Sequence, residues 1–260
     1  MINYNIPVEN LPSKGILYGF SNISISQLTY AKILDYKFDL EKQHNEVSLL
    51  ITQLNHLIMD LPNGADISMY DAFALMAVRV YSSSSKDLSN QLSFDFECPI
   101  HHKIETVSVD IGSMKFEDMD PKLAEIETIK LNNERFRFRI PTVKEFIEVA
   151  NSCKTLLPVK PYALKLIWLL SMFKDVSNKD ERLKIIKSVT EATVVNDELL
   201  LLETLYQKMM SFKFMFATCK QGGEVNKFQI NTIEPITSYF RHIPQLQNLT
   251  GDLCSFKEKL

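Results

Sequence analysis

Cys98, His101 and His102 lie close together in FDFECPIHHKIE (94–105). A cysteine followed three residues later by histidine is half of a zinc ribbon. Such a ribbon needs two turns, each offering a Cys-x2-Cys or Cys-x2-His pair, to close a tetrahedron of ligands. A second stretch, FMFATCKQGGEVNKFQINT (214–232), repeats the pattern: Phe-x-Phe, then Cys219, then alternating apolar residues. Three and four residues after Cys219 stand Gly222 and Gly223, where the first stretch has its histidines. The ligands left are Cys98, His101 or His102, and Cys219. Adjacent histidines on a strand face opposite ways, so only one of them would join a shared ion. Two readings stay open: a zinc ion on Cys98, His101 and Cys219, or an unmetallated hairpin with a small buried thiol at its turn.

Other residue types offer less chemistry. The chain has no HExxH and no GxSxG. Its seven glycines form no GxGxxG or GxxxxGK, the loops that let backbone N–H groups cradle phosphate. Glu117, Asp118 and Asp120 form an acidic run that reads as a solvated loop. In ERFRFR (134–139), Arg135, Arg137 and Arg139 fall on one face of a strand, with Phe136 and Phe138 on the other. Such a ladder suits phosphates or an acidic protein surface, or else guards an exposed edge strand with charge. None of these patterns assembles a catalytic site or a small-molecule site. The expectation is a non-enzymatic protein with no cofactor, zinc being the one open option.

The elements around these residues follow from periodicity. Val47, Leu50, Ile51, Leu54, Leu57, Ile58 and Leu61 form one helical stripe over 46–61, and Met69, Tyr70, Phe73, Met76, Ala77, Val80 and Tyr81 form another over 68–81. Asp66 or Ser68 is placed to cap the second. The period then drops to two. Leu92, Phe94 and Phe96 alternate before Cys98, and Val107, Val109 and Ile111 after it. Asn132-Asn133 reads as a turn between two strands. TVKE (142–145) is a capping box opening a helix whose stripe is Phe146, Ile147, Ala150 and Cys153. Further helices are expected at 160–174, 178–190 and 196–211, the last with Leu199, Leu202, Leu205, Tyr206 and Met209 on one face. Strands return at FKFMFATC and KFQI. Near the N-terminus, Ile16, Tyr18, Ile23 and Ile25 predict a short hairpin or arm. The fold class expected is α+β, mostly helical with short antiparallel hairpins, two of them a degenerate zinc-ribbon-like pair. A division into 1–125 and 126–260 is one organisation; a single discontinuous domain is the other, since no Gly/Ser-rich linker marks the boundary.

Composition sets outer bounds. With 260 residues, 45% of them hydrophobic, the chain can bury a sizeable core. A net charge of −3 provides no global basic field for nucleic acid. No uncharged stretch reaches the length of a membrane span. The start, MINYNIPVENLPSKG, lacks the basic and apolar regions of a signal peptide. The four spread cysteines are therefore expected as reduced thiols in a cytoplasm. Sixteen phenylalanines and ten methionines, concentrated in places such as YQKMMSFKFMF (206–216), suit either a core or a docking surface.

LPSKGILYG near the N-terminus (11–19), the cysteine hairpin, and IEPITSYF towards the C-terminus resemble the T4-type bacteriophage baseplate hub and hub-assembly proteins. The matching residues are Leu11, Pro12, Ser13, Lys14, Gly15 and Tyr18, Cys98 at the first knuckle position, and Pro235, Tyr239 and Phe240. The chain departs from the family pattern with His101 at the second knuckle position and with no ligand after Cys219. The resemblance implies a tail morphogenesis protein, either a hub component or an assembly factor. It would dock on other baseplate hub proteins in the host cytoplasm and stay in the virion tail if it is a component. It implies no reaction. Its partner-binding residues would be Leu11, Pro12, Lys14, Gly15, Tyr18, Tyr239 and Phe240, with the arginine ladder beside them. The alternative is a degenerate zinc-ribbon module that touches nucleic acid through Arg135, Arg137 and Arg139.

Overall fold

The computed structural model describes residues 3–231, apart from 44, 60, 62–66, 84–90, 99, 111–115, 132–133, 154–162, 192–196 and 222–223. The chain is mixed α+β. Among the described residues it has seven α-helices and four separate two-stranded antiparallel sheets.

The N-terminal sheet departs from expectation. Strand β1 (Asn3–Pro7) pairs with β2 (Asn22–Ser26), so that Ile6 lies opposite Ile23 and Tyr4 opposite Ile25. Residues 8–21 make the connection. Ile16 and Tyr18 therefore belong to a folded loop and not to a strand. Four short-range bonds curl it: Leu11 N–H to the Val8 carbonyl, Lys14 N–H to Leu11, Ile16 N–H to Ser13, and Tyr18 N–H to Gly15. Tandem left-handed residues, Lys14 at φ 55° and Gly15 at φ 76°, make the reversal. A Cβ on Gly15 would stand 2.8 Å from Val8 Cγ2, so a side chain there meets both backbone strain and a clash.

Helix α1 (Tyr30–Glu41) follows, with Thr29 accepting from Lys32 N–H as its cap. Its apolar pattern is thin: among its described side chains only Tyr36 and Leu40 are buried, which is why periodicity does not reveal it. Helices α2 (Glu46–Met59) and α3 (Met69–Ser83) fall where the stripes place them. Ser68 caps α3 by accepting from Tyr70 N–H. The chain then forms β3 (Gln91–Glu97) and β4 (Ile104–Asp110), a hairpin pairing Leu92 with Val109 and Phe94 with Val107. Strands β5 (Thr128–Leu131) and β6 (Glu134–Arg137) form a third sheet. Its inner face buries Ile129, Leu131 and Phe136.

Helix α4 (Val143–Cys153) opens with the capping box. Thr142 N–H donates to Glu145 Oε2 at 2.9 Å, and Glu145 N–H donates to Thr142 Oγ1 at 3.3 Å. Helix α5 (Ala163–Ser171) is apolar nearly all round because neighbours cover it on several sides. Its Trp168 lies between Phe146 of α4 (ring centroids 4.9 Å apart) and a tyrosine of the last helix. Helix α6 (Lys179–Glu191) and α7 (Asp197–Met210) complete the helical set. That tyrosine is Tyr206 of α7, its ring 5.9 Å from Trp168. Strands β7 (Ser211–Gln221) and β8 (Glu224–Asn231) form the last hairpin.

One apolar cluster joins these parts. It runs from Val8 through α2 and α3 to Phe138, α4, α5 and Met209 of α7, and crosses the 125/126 boundary. Five methionines, Met69, Met76, Met119, Met172 and Met209, sit inside it. Phe73, Phe136, Phe138, Phe146 and Phe173 are buried there too, and Tyr206 packs against it; the side chains of 210–216 lie outside what is described. No described helix is long and apolar enough to cross a membrane.

Candidate functional site

The motif LPSKGILYG folds into a loop that is held from within. Leu11 is 2% exposed, and Pro12 and Ser13 are buried with it. The anchor is Asp71, in the first turn of α3. Ser13 N–H donates to Asp71 Oδ1 at 2.8 Å, and the Tyr18 hydroxyl donates to Asp71 Oδ2 at 2.8 Å. The same hydroxyl accepts from Ser68 N–H at 3.1 Å. Burial pushes the Asp71 carboxyl above its ordinary value, and the bonds from Ser13 and Tyr18 counter the rise. Burial and the nearby carboxylate push the Tyr18 phenol well up, so it remains a donor. On the far side, the Pro12 carbonyl accepts from Met119 N–H at 2.8 Å, and Lys14 Nζ pairs with Asp118 at 2.9 Å.

This corrects part of the expectation. Leu11 and Pro12 are buried and fasten the loop to the core instead of lying on the surface, while the half-buried Tyr18 spends its hydroxyl on Asp71 and Ser68. The residues that face outward are Lys14, Ile16 and Phe20, the latter two 44% and 41% exposed. The Tyr18 and Phe20 rings stack at 4.9 Å, which ties the exposed ring to the anchored one. Neither Asp71 nor Phe20 was legible as a site residue. The only signal for Asp71 was an acid in a helix's first turn, which usually serves the helix dipole.

The arginine ladder divides. Arg135 and Arg137 are exposed on β6, but Arg139 is not. After Phe138, whose N–H still donates to the Glu127 carbonyl, the chain leaves its partner strand. Phe138 bridges Phe173, and Arg139 N–H donates to the Met172 carbonyl. The guanidinium turns inward, donating through Nε to the Ser171 carbonyl at 3.1 Å and through Nη1 to Glu145. Arg139 thus braces the capping box of α4 against the end of α5. The strand period that put it beside Arg135 and Arg137 stops two residues too early.

At the first hairpin tip, Cys98 Sγ and His101 Nδ1 are 3.6 Å apart, a thiol–imidazole contact. Cys98 has no solvent exposure. Its N–H donates to the Lys103 carbonyl, and its carbonyl accepts from His102 N–H. His102, at φ 51°, turns away to Glu97 Oε1 at 3.3 Å. The two histidines thus serve different partners. The second hairpin is built differently. Cys219 lies inside β7, opposite Asn226, and Gln221 pairs directly with Glu224. Cys98 instead follows the last residue of its strand. The positional match of the two cysteines along the sequence is not a match in the hairpins, because Cys98 stands past the end of β3 and Cys219 within β7. Among the described residues no group of three or more His, Cys, Asp or Glu is placed to hold a metal ion. The side chain of Cys219, like Pro235, Tyr239 and Phe240, lies outside what is described.

A polar cluster that periodicity does not announce ties α1, α2 and α3. His56 Nε2 meets Asp39 Oδ2 at 3.0 Å, and its ring sits edge-on to buried Tyr36 at 4.5 Å. The His56 carbonyl accepts from Arg79 Nη1 at 3.2 Å. Burial lowers His56 below its ordinary value, and Asp39 opposes that shift. Burial also lowers the Arg79 guanidinium to about 10. Comparison with family models, curated proteins and solved structures gave no match to this chain.

Proposed function

We propose that the chain is a non-enzymatic docking protein of a T4-type phage tail, either a baseplate hub component or a factor in hub assembly. The observation that carries this reading is the 11–20 loop. Its backbone is fixed by Asp71, Ser68 and the 116–120 segment, and it offers Ile16, Phe20 and Lys14 to the outside. A loop already held in shape loses little conformational entropy when a partner closes on it. Exposed aromatic and aliphatic side chains on such a loop are the usual anchors of protein contacts. The left-handed Lys14 fits the same view, since strained non-glycine residues gather at functional loops. The motif that forms this loop is also the one that resembles the hub family.

The zinc-ribbon reading is the weaker one, because Cys98 follows the end of its strand whereas Cys219 is paired within its own. The docking reading is tested with an Ile16→Asp, Phe20→Asp double variant supplied in trans during infection. The variant should keep its thermal midpoint within a few degrees, as exposed substitutions do, and should fail to support complete tails. Normal tail yield from a folded double variant would remove the loop from the functional surface.

A further inference from the structure

We infer that the open edge of β4 pairs with the same edge of a second copy of this chain, joining two β3–β4 ribbons into one four-stranded antiparallel sheet. This goes beyond the docking reading and uses a different part of the molecule. Cys98 N–H donates to the Lys103 carbonyl, so 98 and 103 face each other as a hydrogen-bonded pair. Antiparallel ladders alternate between hydrogen-bonded and open pairs. Phe96–Glu105, Phe94–Val107 and Leu92–Val109 are then the bonded pairs of the ribbon, and the backbone groups of Ile104, Thr106, Ser108 and Asp110 point outward from β4. Those of Asp95 and Glu97 point outward from β3. Among the described residues no third strand lies along either edge. Ile104 is 68% exposed, and Thr106 is exposed beside it.

The two edges of the ribbon differ. At its outward positions β3 carries Asp95 and Glu97, both exposed, and charge there keeps an edge strand from pairing. Pro7 does the same for β1, where the bond from Val8 N–H to the Ser21 carbonyl leaves position 7 outward with no N–H to offer. From 104 to 108, β4 has neither device: its outward residues are Ile104, Thr106 and Ser108. These residues also complement themselves. Laid antiparallel about Thr106, Ile104 faces Ser108 of the second copy, Thr106 faces Thr106, and Ser108 faces Ile104, with two backbone bonds per pair and about six in all. No like charges meet, and Thr–Thr is a favourable cross-strand pair. The same register carries Asp110 of each copy to the hairpin tip of the other, where His102 and Lys103 are exposed, so opposite charges meet at both ends. One contact used twice in this way closes a twofold dimer.

The test is sedimentation equilibrium of the full chain from about 1 to about 100 µM, the range of weak, small interfaces. The wild type should pass from monomer to dimer across it. Replacing Ile104 and Thr106 together by Lys should weaken association roughly tenfold or more, since charge then lies on the pairing edge. Replacing the exposed Leu34 and Phe38 of α1 by Lys makes the same change in net charge and also removes two exposed apolar side chains; it should leave the dissociation constant within about twofold. Thr106→Pro deletes an outward N–H that the ribbon itself does not use, and it should abolish the dimer. If the proline variant fails to fold, the lysine pair is read instead. Hydrogen exchange separates strand pairing from loose apolar contact: the Ile104 and Thr106 amides should exchange roughly fivefold or more slowly at the top of the concentration range than at the bottom. A wild type that stays monomeric to about 100 µM, equal losses in the two lysine variants, or a dimer whose 104 and 106 amides gain no protection would each overturn the inference. These outcomes are independent of tail yield with the Ile16/Phe20 variant, so this edge and the loop can fail separately.

Discussion

Asp71→Ala is the substitution on which the architecture of the N-terminal loop depends. The carboxylate is fully buried and accepts from Ser13 N–H and from the Tyr18 hydroxyl, each at 2.8 Å. A hydrogen bond to a charged acceptor contributes about 1.5–3 kcal/mol, and a buried donor left unmade costs about 1–3 kcal/mol. Ser13 N–H would be orphaned in the interior. Tyr18 is only half-buried and can turn towards water, so its loss is smaller. Relief from burying the carboxyl, seen in its raised pKa, offsets part of the total. The expected net loss is about 3 kcal/mol, read as a shift of the urea midpoint at unchanged m. Tyr18→Phe should cost about 1–2 kcal/mol, because Ser68 N–H also loses its acceptor. The double variant should cost less than the sum, with a coupling of about 1 kcal/mol or more. Asp71→Asn adds a sign test. A carboxyl raised by folding contributes stability that is complete below the ordinary value of 3.8 and fades as pH climbs through its folded value. The wild-type margin over the Asn variant should therefore shrink with rising pH above that point. A cost below about 1 kcal/mol for Asp71→Ala, or zero coupling with Tyr18, would refute the account of how the loop is held.

Three further outcomes follow from the same geometry. His56 is lowered by burial, so the folded protein binds fewer protons than the unfolded chain; stability should fall as pH drops below about 6.5, and His56→Gln should remove that slope in urea titrations between about pH 5 and 7. Gly15→Ala should cost about 2 kcal/mol in the same assay, from the positive φ and the close approach to Val8; a neutral result would mean that the turn relaxes freely. Arg139→Ser should cost about 2 kcal/mol, whereas Arg135→Ser and Arg137→Ser should each stay within about 0.5 kcal/mol; equal effects at all three would restore a uniform ladder.

The sequence by itself determined most of the helical frame. The stripes of α2, α3 and α7, the Thr142–Glu145 capping box and the alternation around Cys98 are local patterns, and local patterns need only the neighbouring residues to be read. Helix α1 escaped because its described side chains bury one thin edge, Tyr36 and Leu40, so its periodicity is weak. Tertiary structure alone decided the pairing of β1 with β2 across a 14-residue connection and the inward turn of Arg139. It also decided the convergence of Ser13, Tyr18, Ser68 and Asp71. Each of these joins residues distant along the chain, and no periodicity carries that information. The same reason separates the two cysteines: their sequence contexts match, yet strand register puts one past a strand end and the other within a strand. Which residues stay exposed was settled in the same way. Burial on the packed core, and not residue type, took Leu11, Pro12 and Arg139 inward and left Ile16, Phe20 and Lys130 outside.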